Sequence, residues 1–372
     1  MSVADAVTAQ GMATRHRRSV EAIISGLDKV NALLAKMIKN NQIKWNGYGT
    51  EFEWYIRKLK ETSSWTSGQL NVRSFEEKDP MAKCTLPYCF IDQTYGVSEK
   101  SIKTNRAAGS EKIYDIQKEN ARNAQNALYR AFAAAIYSDG SDTQEPVGLR
   151  GITGSAYENT NVAVAAGKTY AGRTLNTGAI TSFADGTPPT GWDVDYFYPV
   201  ALSIVEVPDM FSASNKWSTD CYYGLDWIEG RMTYSADVSG TGDVVRPDMA
   251  VMAQSSFSAM RAALIKAQLT YNVMLGTKDP VLGAFATIRV GNIDCIRDDN
   301  VPNDAGGLGR VFVFDSTAFY IDTCNKQSEG LIEGEWKQDD PEITGGVGVY
   351  KSNWGLACKT PKAVGVFVGC HD

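Results

Sequence analysis

Carboxylates are the chemically capable groups that cluster most closely in this sequence. Asp339, Asp340 and Glu342 sit together, with Glu333 and Glu335 just before them. Two acids flanking a glycosidic bond are what acid–base sugar hydrolysis requires. The chain carries 43 acids, however, so close pairs of them arise by chance. Its two histidines, His16 and His371, stand at opposite ends, which leaves an imidazole triad, proton shuttle or metal cluster little to build on. Gly306, Gly307 and Gly309 lack the Lys-Ser/Thr that completes a phosphate loop, and Gly345, Gly346 and Gly348 do not open a helix; both groups read as turns. Asp298, Asp299, Asn300 and Asp304 have the look of a calcium loop, but Asn303 occupies the sixth position, where glycine is needed. A solvated acidic loop is expected there. Tyr222, Tyr223, Trp227 and Tyr234 could stack on a sugar, which keeps a carbohydrate-binding reading open. No catalytic residue, metal or cofactor is assigned.

The composition bounds what could position such groups. The chain has 372 residues, 43% hydrophobic and 22% charged, enough apolar material for one large domain or two smaller ones. A net charge of -6 lacks the basic excess of a dedicated nucleic-acid binder, so any DNA contact should be local and weak. Apolar stretches fall far below the roughly 18 residues that span a bilayer, and no secretory signal is evident. Seven cysteines without C-x-x-C spacing read as reduced, mostly buried side chains.

Along the chain, residues 19–39 place Val20, Ile23, Ile24, Leu27, Val30, Leu34, Met37 and Ile38 at spacings of three and four, the mark of an amphipathic helix. Arg15, Arg17 and Arg18 make its approach basic. Two strand-like runs follow, Phe52, Trp54 and Ile56 in the first and Cys84, Leu86, Tyr88 and Phe90 in the second. The polar stretch 61–79 between them, with Trp65 among Ser and Gly, reads as the exposed tip of a long excursion. Residues 111–137 repeat Ile113, Ile116, Asn120, Ala124, Leu128, Ala131 and Ala135 on one face, a helix roughly 40 Å long that Gly140 would stop. Beyond Gly148 strands and loops are expected to about Tyr234, then a helix over 248–264 introduced by Pro247, then strand runs at 286–296, 309–314 and 356–368. Segregated helices and strands, without βαβ alternation, point to an α+β fold.

This order of elements, with several local stretches, resembles the tailed-bacteriophage major capsid proteins of the Hong Kong 97-like fold. The stretches are K-C-T-L-P-Y-C-F-I-D-Q-T-Y-G-V-S at 83–98, Y-S-D-G and G-L-R-G-I around 137–152, R-V-G-N-I-D-C-I-R-D-D-N-V-P with V-F-V-F-D at 289–315, and W-G-L-A-C-K-T-P-K-A-V-G-V-F-V-G at 354–369. They are packing and turn patterns spread over nearly the whole chain.

The resemblance implies an N-terminal arm at 1–41, an extended β loop at 42–106, a peripheral domain with a long spine helix at 107–150, a β-rich axial domain at 151–335, and a return to the peripheral domain at 336–372. It implies a structural protein rather than an enzyme, self-assembling through pentamers and hexamers into an icosahedral head that encloses the genome. The expected partners are further copies of itself, a separate scaffolding protein, a portal, decoration proteins, and packaged double-stranded DNA in weak nonspecific contact, with no membrane. Assembly in the host bacterial cytoplasm and residence in the virion follow. Fewer residues precede the loop than a fused scaffolding segment needs, and no Lys–Asn cross-linking pair is identifiable. A loop with more surface than it can bury would seat Trp45, Trp54, Trp65 and Phe75 on neighbouring subunits, where aromatic anchors dominate interface energy. The alternative is another β-rich virion or surface component, such as a tail or carbohydrate-binding protein.

Overall fold

The structure is a computed structural model that describes residues 31–57, 81–98, 110–153, 169–174, 200–203, 216–233, 246–266, 287–303, 309–327, 331–338 and 345–370. Two sheets organise these residues. Strand β14 (Gly345–Cys358) is the spine of the first, antiparallel to β4 (Cys89–Ser98) along one edge and to β13 (Glu333–Gln338) and β12 (Phe319–Thr323), end to end, along the other. Short β1 (Ile43–Lys44) adds in parallel beside β12. Helix α2 (Ser110–Ala135) packs on β4 because Ala121, Ala124, Leu128 and Phe132 recur at helical spacing and are all buried. Phe132 stacks on Trp354 of β14 at 4.8 Å, and the Asn120 amide donates to the Gly96 carbonyl at 3.0 Å. Past Leu128 the buried face runs through Phe132 and Ile136, not through Ala131 and Ala135.

The second sheet has the order β7 (Val200–Ser203), β15 (Val364–Cys370), β11 (Gly309–Phe314), β8 (Met249–Met252), β10 (Ile293–Arg297), β9 (Thr287–Val290). Its central strands are apolar on both faces. Met249, Val251, Phe312 and Phe314 look toward the end of α2 and the short helix α3 (Leu149–Thr153), whereas Ala250, Met252, Val311 and Val313 meet α4 (Trp217–Met232) and α5 (Gln254–Lys266). Covering both faces is what turns a strand into a continuous hydrophobic run. Among the described residues no helix is long and apolar enough to cross a membrane.

Several expectations need correction. The helix expected over 19–39 is interrupted at Asn31, whose extended backbone and side-chain oxygen cap α1 (Ala32–Lys39); residues 19–30 lie outside the described set. The helix expected from 248 is strand β8 followed by α5: four consecutive apolar residues carry no period, and their position between β10 and β11 decides the matter. Strands and loops were expected to Tyr234, yet α4 lies there, with Trp217, Cys221, Leu225, Ile228 and Met232 buried along one face. Gly345, Gly346 and Gly348 lie within β14 and Gly309 opens β11, so none of these is in a turn; Gly306 and Gly307 are outside the described residues. The run 286–296 is a hairpin that turns at Gly291, which takes φ +59. The run 356–368 divides, its first part in β14 and its last in β15, across the turn Pro361–Ala363. Consequently β12 belongs to the sheet beneath α2 while β15 belongs to the other, and the boundary expected at 335 coincides with no change of sheet.

Candidate assembly surface

The excursion is a two-stranded antiparallel ribbon, β2 (Glu51–Arg57) against β3 (Met81–Pro87), in register from Glu51↔Pro87 to Arg57↔Met81. Strand alternation turns Phe52, Trp54, Ala82, Cys84 and Leu86 inward, with Ile56 half-buried beside them, and leaves Glu53, Tyr55 and Lys83 outside, where Lys83 and Glu53 form an ion pair. The second run breaks at Tyr88, so Phe90 does not continue the inward face; on β4 it points to solvent.

The root of the ribbon is fastened to its own subunit. The Tyr88 N–H donates to the Thr50 carbonyl at 3.0 Å, and the Tyr88 hydroxyl to Asp322 at 2.7 Å. A second small hairpin, β5 (Thr169–Tyr170) and β6 (Arg173–Thr174), clips the other side: Thr85 N–H donates to the Ala171 carbonyl, and Arg173 Nε to the Lys83 carbonyl. Gly355 is required beneath this root, since a Cβ there would run into the Phe52 ring. Burial raises the Asp322 carboxyl above its ordinary range, although Tyr88 and Lys44 oppose that rise. Burial lowers Lys44, whose ammonium lies 3.9 Å from the centre of the Tyr320 ring.

Of the proposed anchors, Trp54 finds its burial at home. It is 7% exposed, stacked on Phe52 and set against Tyr170 and Tyr320, which leaves little of it for a neighbour. Trp45 is half-buried against the same core, and Trp65 and Phe75 fall outside the described residues. Among the described residues four large aromatics are exposed: Tyr48 at 90%, Phe90 at 78%, Tyr223 at 70% and Tyr55 at 60%. Tyr48, Tyr55 and Phe90 sit on the ribbon or at its root, and Tyr223 lies on α4. A sign of this was present for Tyr55, which shares the parity of Glu51 and Glu53, and for Tyr48, held between Gly47 and Gly49.

The other chemical candidates scatter. Asp298 is buried, not solvated, and accepts hydrogen bonds from Asn31 and Tyr137; Asp299 stays outside, paired with Arg297 at 2.8 Å. Glu335 pairs with Lys351 at 3.0 Å on the exposed face of β13. Residues 304, 339, 340 and 342 and both histidines are outside the described set. Tyr222 and Trp227 pack inward on the α4 layer while Tyr223 points out, so the three do not make one platform; Tyr234 is not described. Among the described residues no His, Cys, Asp and Glu group could hold a metal. All seven cysteines are free, six buried and Cys324 half-buried.

One long helix lying on the first sheet, a second sheet covered on both faces and a two-stranded ribbon docked at its root make an α+β fold, the class that the segregation of helices and strands predicts, and it is a fold found in capsid shell proteins. Solved structures of that class align with nearly the whole chain. The capsid of an empty GTA particle matches at 12% identity over 89% of each chain, with a TM-score of 0.50, which establishes the shared fold. The capsid of Myoviridae phage XM1 aligns at 11% identity over 90% of this chain and 91% of its own, TM-score 0.47. The holo-SrpI encapsulin complex from Synechococcus elongatus aligns at 8% identity over 90% and 88%, TM-score 0.48. No family model matches the sequence, and no curated protein matches it.

Proposed function

We propose that this chain is the major capsid protein of a tailed bacteriophage, a structural subunit that assembles through pentamers and hexamers into an icosahedral head around the DNA genome. The observation that carries the reading is the capsid fold shared over 89% of both chains. The ribbon supports it, because 23 residues separate its two described arms, far more than a hairpin turn needs. A shell subunit needs several different edges for copies of itself, and heterologous contacts close into rings and cages when the rotation permits.

In this reading residues 1–41 are the arm, the ribbon is the extended loop, α2 is the spine of the peripheral domain, and the six-stranded sheet with α4 and α5 is the axial domain. Trp65 and Phe75 anchor the loop tip on a neighbour, with Trp45 at the root. A separate scaffold, a portal, decoration proteins and packaged DNA are the further partners. Assembly takes place in the host cytoplasm and the product resides in the virion.

Negative-stain imaging and light scattering of the purified chain, alone and with co-expressed neighbouring phage proteins, test the reading. Closed shells or capsomer rings are the expected result. A compact monomer at high concentration in both settings would overturn it and favour a tail or surface β-protein.

A further inference from the structure

The two sheets meet beside α1, whose polar side chains tie it to the six-stranded sheet while the chain leaving its end is hydrogen-bonded to the other. At its start the Asn31 side chain is used twice. Its Oδ1 accepts from the backbone N–H groups of Leu33 at 2.9 Å and Leu34 at 3.2 Å, which caps the helix. Its Nδ2 donates to Asp298 Oδ2 at 2.8 Å and to the Tyr137 hydroxyl at 3.2 Å, while that hydroxyl donates to the same Asp298 oxygen at 2.6 Å. Asp298 Oδ1 accepts from the backbone and side-chain nitrogens of Asn300, both at 2.9 Å. Asn31, Tyr137 and Asp298 are each more than nine-tenths buried. Hydrogen-bond donors alone, drawn from three separate segments, therefore hold this buried carboxylate.

Further along α1, Lys36 Nζ reaches Asp248 Oδ2 at 2.5 Å, and Asp248 also accepts from the Ser316 N–H and hydroxyl at 2.7 Å each. Asp298 follows β10 and Asp248 precedes β8, so both of these ties are to the six-stranded sheet. The chain leaving α1 ties to the other sheet: the Gln42 carbonyl accepts from the Ile321 N–H at 2.9 Å, and β1 pairs with β12. The Gln42 amide donates to the carbonyl of Ser316, in the turn between β11 and β12 where the chain crosses from one sheet to the other.

We propose that α1 with β1 is a coupling strap, which makes the two sheets behave as one cooperative body, and that Asn31 is its release point. Drawing the chain away at Asn31 removes a helix cap and a donor to a buried carboxylate in the same movement. An eight-residue helix without its cap has little stability of its own, so loss at Asn31 spreads to Lys36 and Gln42. This holds whatever larger object the chain builds.

The test uses the full unassembled chain in increasing urea, with hydrogen exchange read segment by segment by mass spectrometry. Asn31→Asp keeps a capping oxygen but sets a second carboxylate beside Asp298; Asn31→Asp with Asp298→Asn restores the donor–acceptor pairing; Lys36→Met cuts only the second tie. In the parent, β4 and β14 should lose protection at the same urea midpoint as β8, β11 and β15. In Asn31→Asp the two groups should separate into two midpoints, and the double variant should return to one. Lys36→Met should separate them by a smaller amount. A single midpoint in Asn31→Asp, even a lowered one, would make α1 a passive stabiliser and overturn the proposal, as would two midpoints in the parent or a double variant that stays split. If Asn31→Asp does not fold, Lys36→Met decides alone: one midpoint there is equally fatal.

Discussion

Replacing Trp54 should destabilise the subunit itself before it touches any assembly. The side chain is 7% exposed, stacked on Phe52 with ring centres 5.9 Å apart, tilted against Tyr170 at 6.2 Å and edge-on to Tyr320 at 6.3 Å. Truncating a buried aromatic of this size to alanine costs about 3–5 kcal/mol, from lost transfer energy and the cavity left behind. One feature lowers that figure. The indole N–H is buried and meets no acceptor among the described residues, and such a group costs about 1–3 kcal/mol. Trp54→Ala should therefore fall near the low end, about 3 kcal/mol. Trp54→Phe, which keeps a ring, leaves a smaller cavity and removes the unmatched N–H, should cost clearly less than the alanine variant. Urea titration of dissociated subunits, with midpoint and slope fitted for parent and both variants, measures the two values. A Trp54→Ala subunit within about 0.5 kcal/mol of the parent would place the ring at an interface and refute the reasoning. Trp65→Ala should show the opposite pattern, with shell yield lost and subunit stability unchanged within about 0.5 kcal/mol.

Gly348→Ala should lower subunit stability by about 1–3 kcal/mol, because the new Cβ would stand 2.5 Å from the ring of Tyr95, itself packed on Tyr350; calorimetric Tm is the check, and an unchanged Tm would mean that ring is free to move. In native protein at pH 8, Cys324 should be the one thiol quickly alkylated, because it alone is half-buried while the other six are buried; burial raises its thiol too, so the advantage is one of access; mass labelling should count seven thiols after denaturation, and a lower count would reveal disulfides. Asp322 has its folded pKa raised, so its ionisation opposes folding and that penalty is present at neutral pH. Asp322→Asn, which still offers Tyr88 an acceptor, should be more stable than the parent at pH 7, with the difference closing as pH falls through the raised value toward the ordinary carboxylate range; a difference that widens in acid would reverse the sign.

Local period alone was enough to determine part of this molecule. The long helix α2 was legible from Ala124 and Leu128 with their neighbours, and the two arms of the ribbon from the alternation of Phe52, Trp54 and Ile56 with Glu53 and Tyr55. The free, mostly buried state of the cysteines followed from an odd count without tight spacing. The period in Trp217, Cys221, Leu225, Ile228 and Met232 was equally present, but the aromatic and β-branched composition around it drew the reading toward strands. Other features had no local signal to find. Met249 to Met252 would suit a buried helix or a buried strand, and only flanking by β10 and β11 makes it the latter. Asp298 looks like any acid in a polar loop until Asn31, 267 residues away in sequence, donates to it. Whether the inward face of the ribbon meets its own subunit or another was settled by Tyr170 and Tyr320, which the chain brings to Trp54 from distant segments. Periodicity belongs to the backbone of a single segment, so it can be read along the chain. Burial and the pairing of polar groups belong to contacts between segments, and these exist only once the two sheets have formed and closed on α1 and α2.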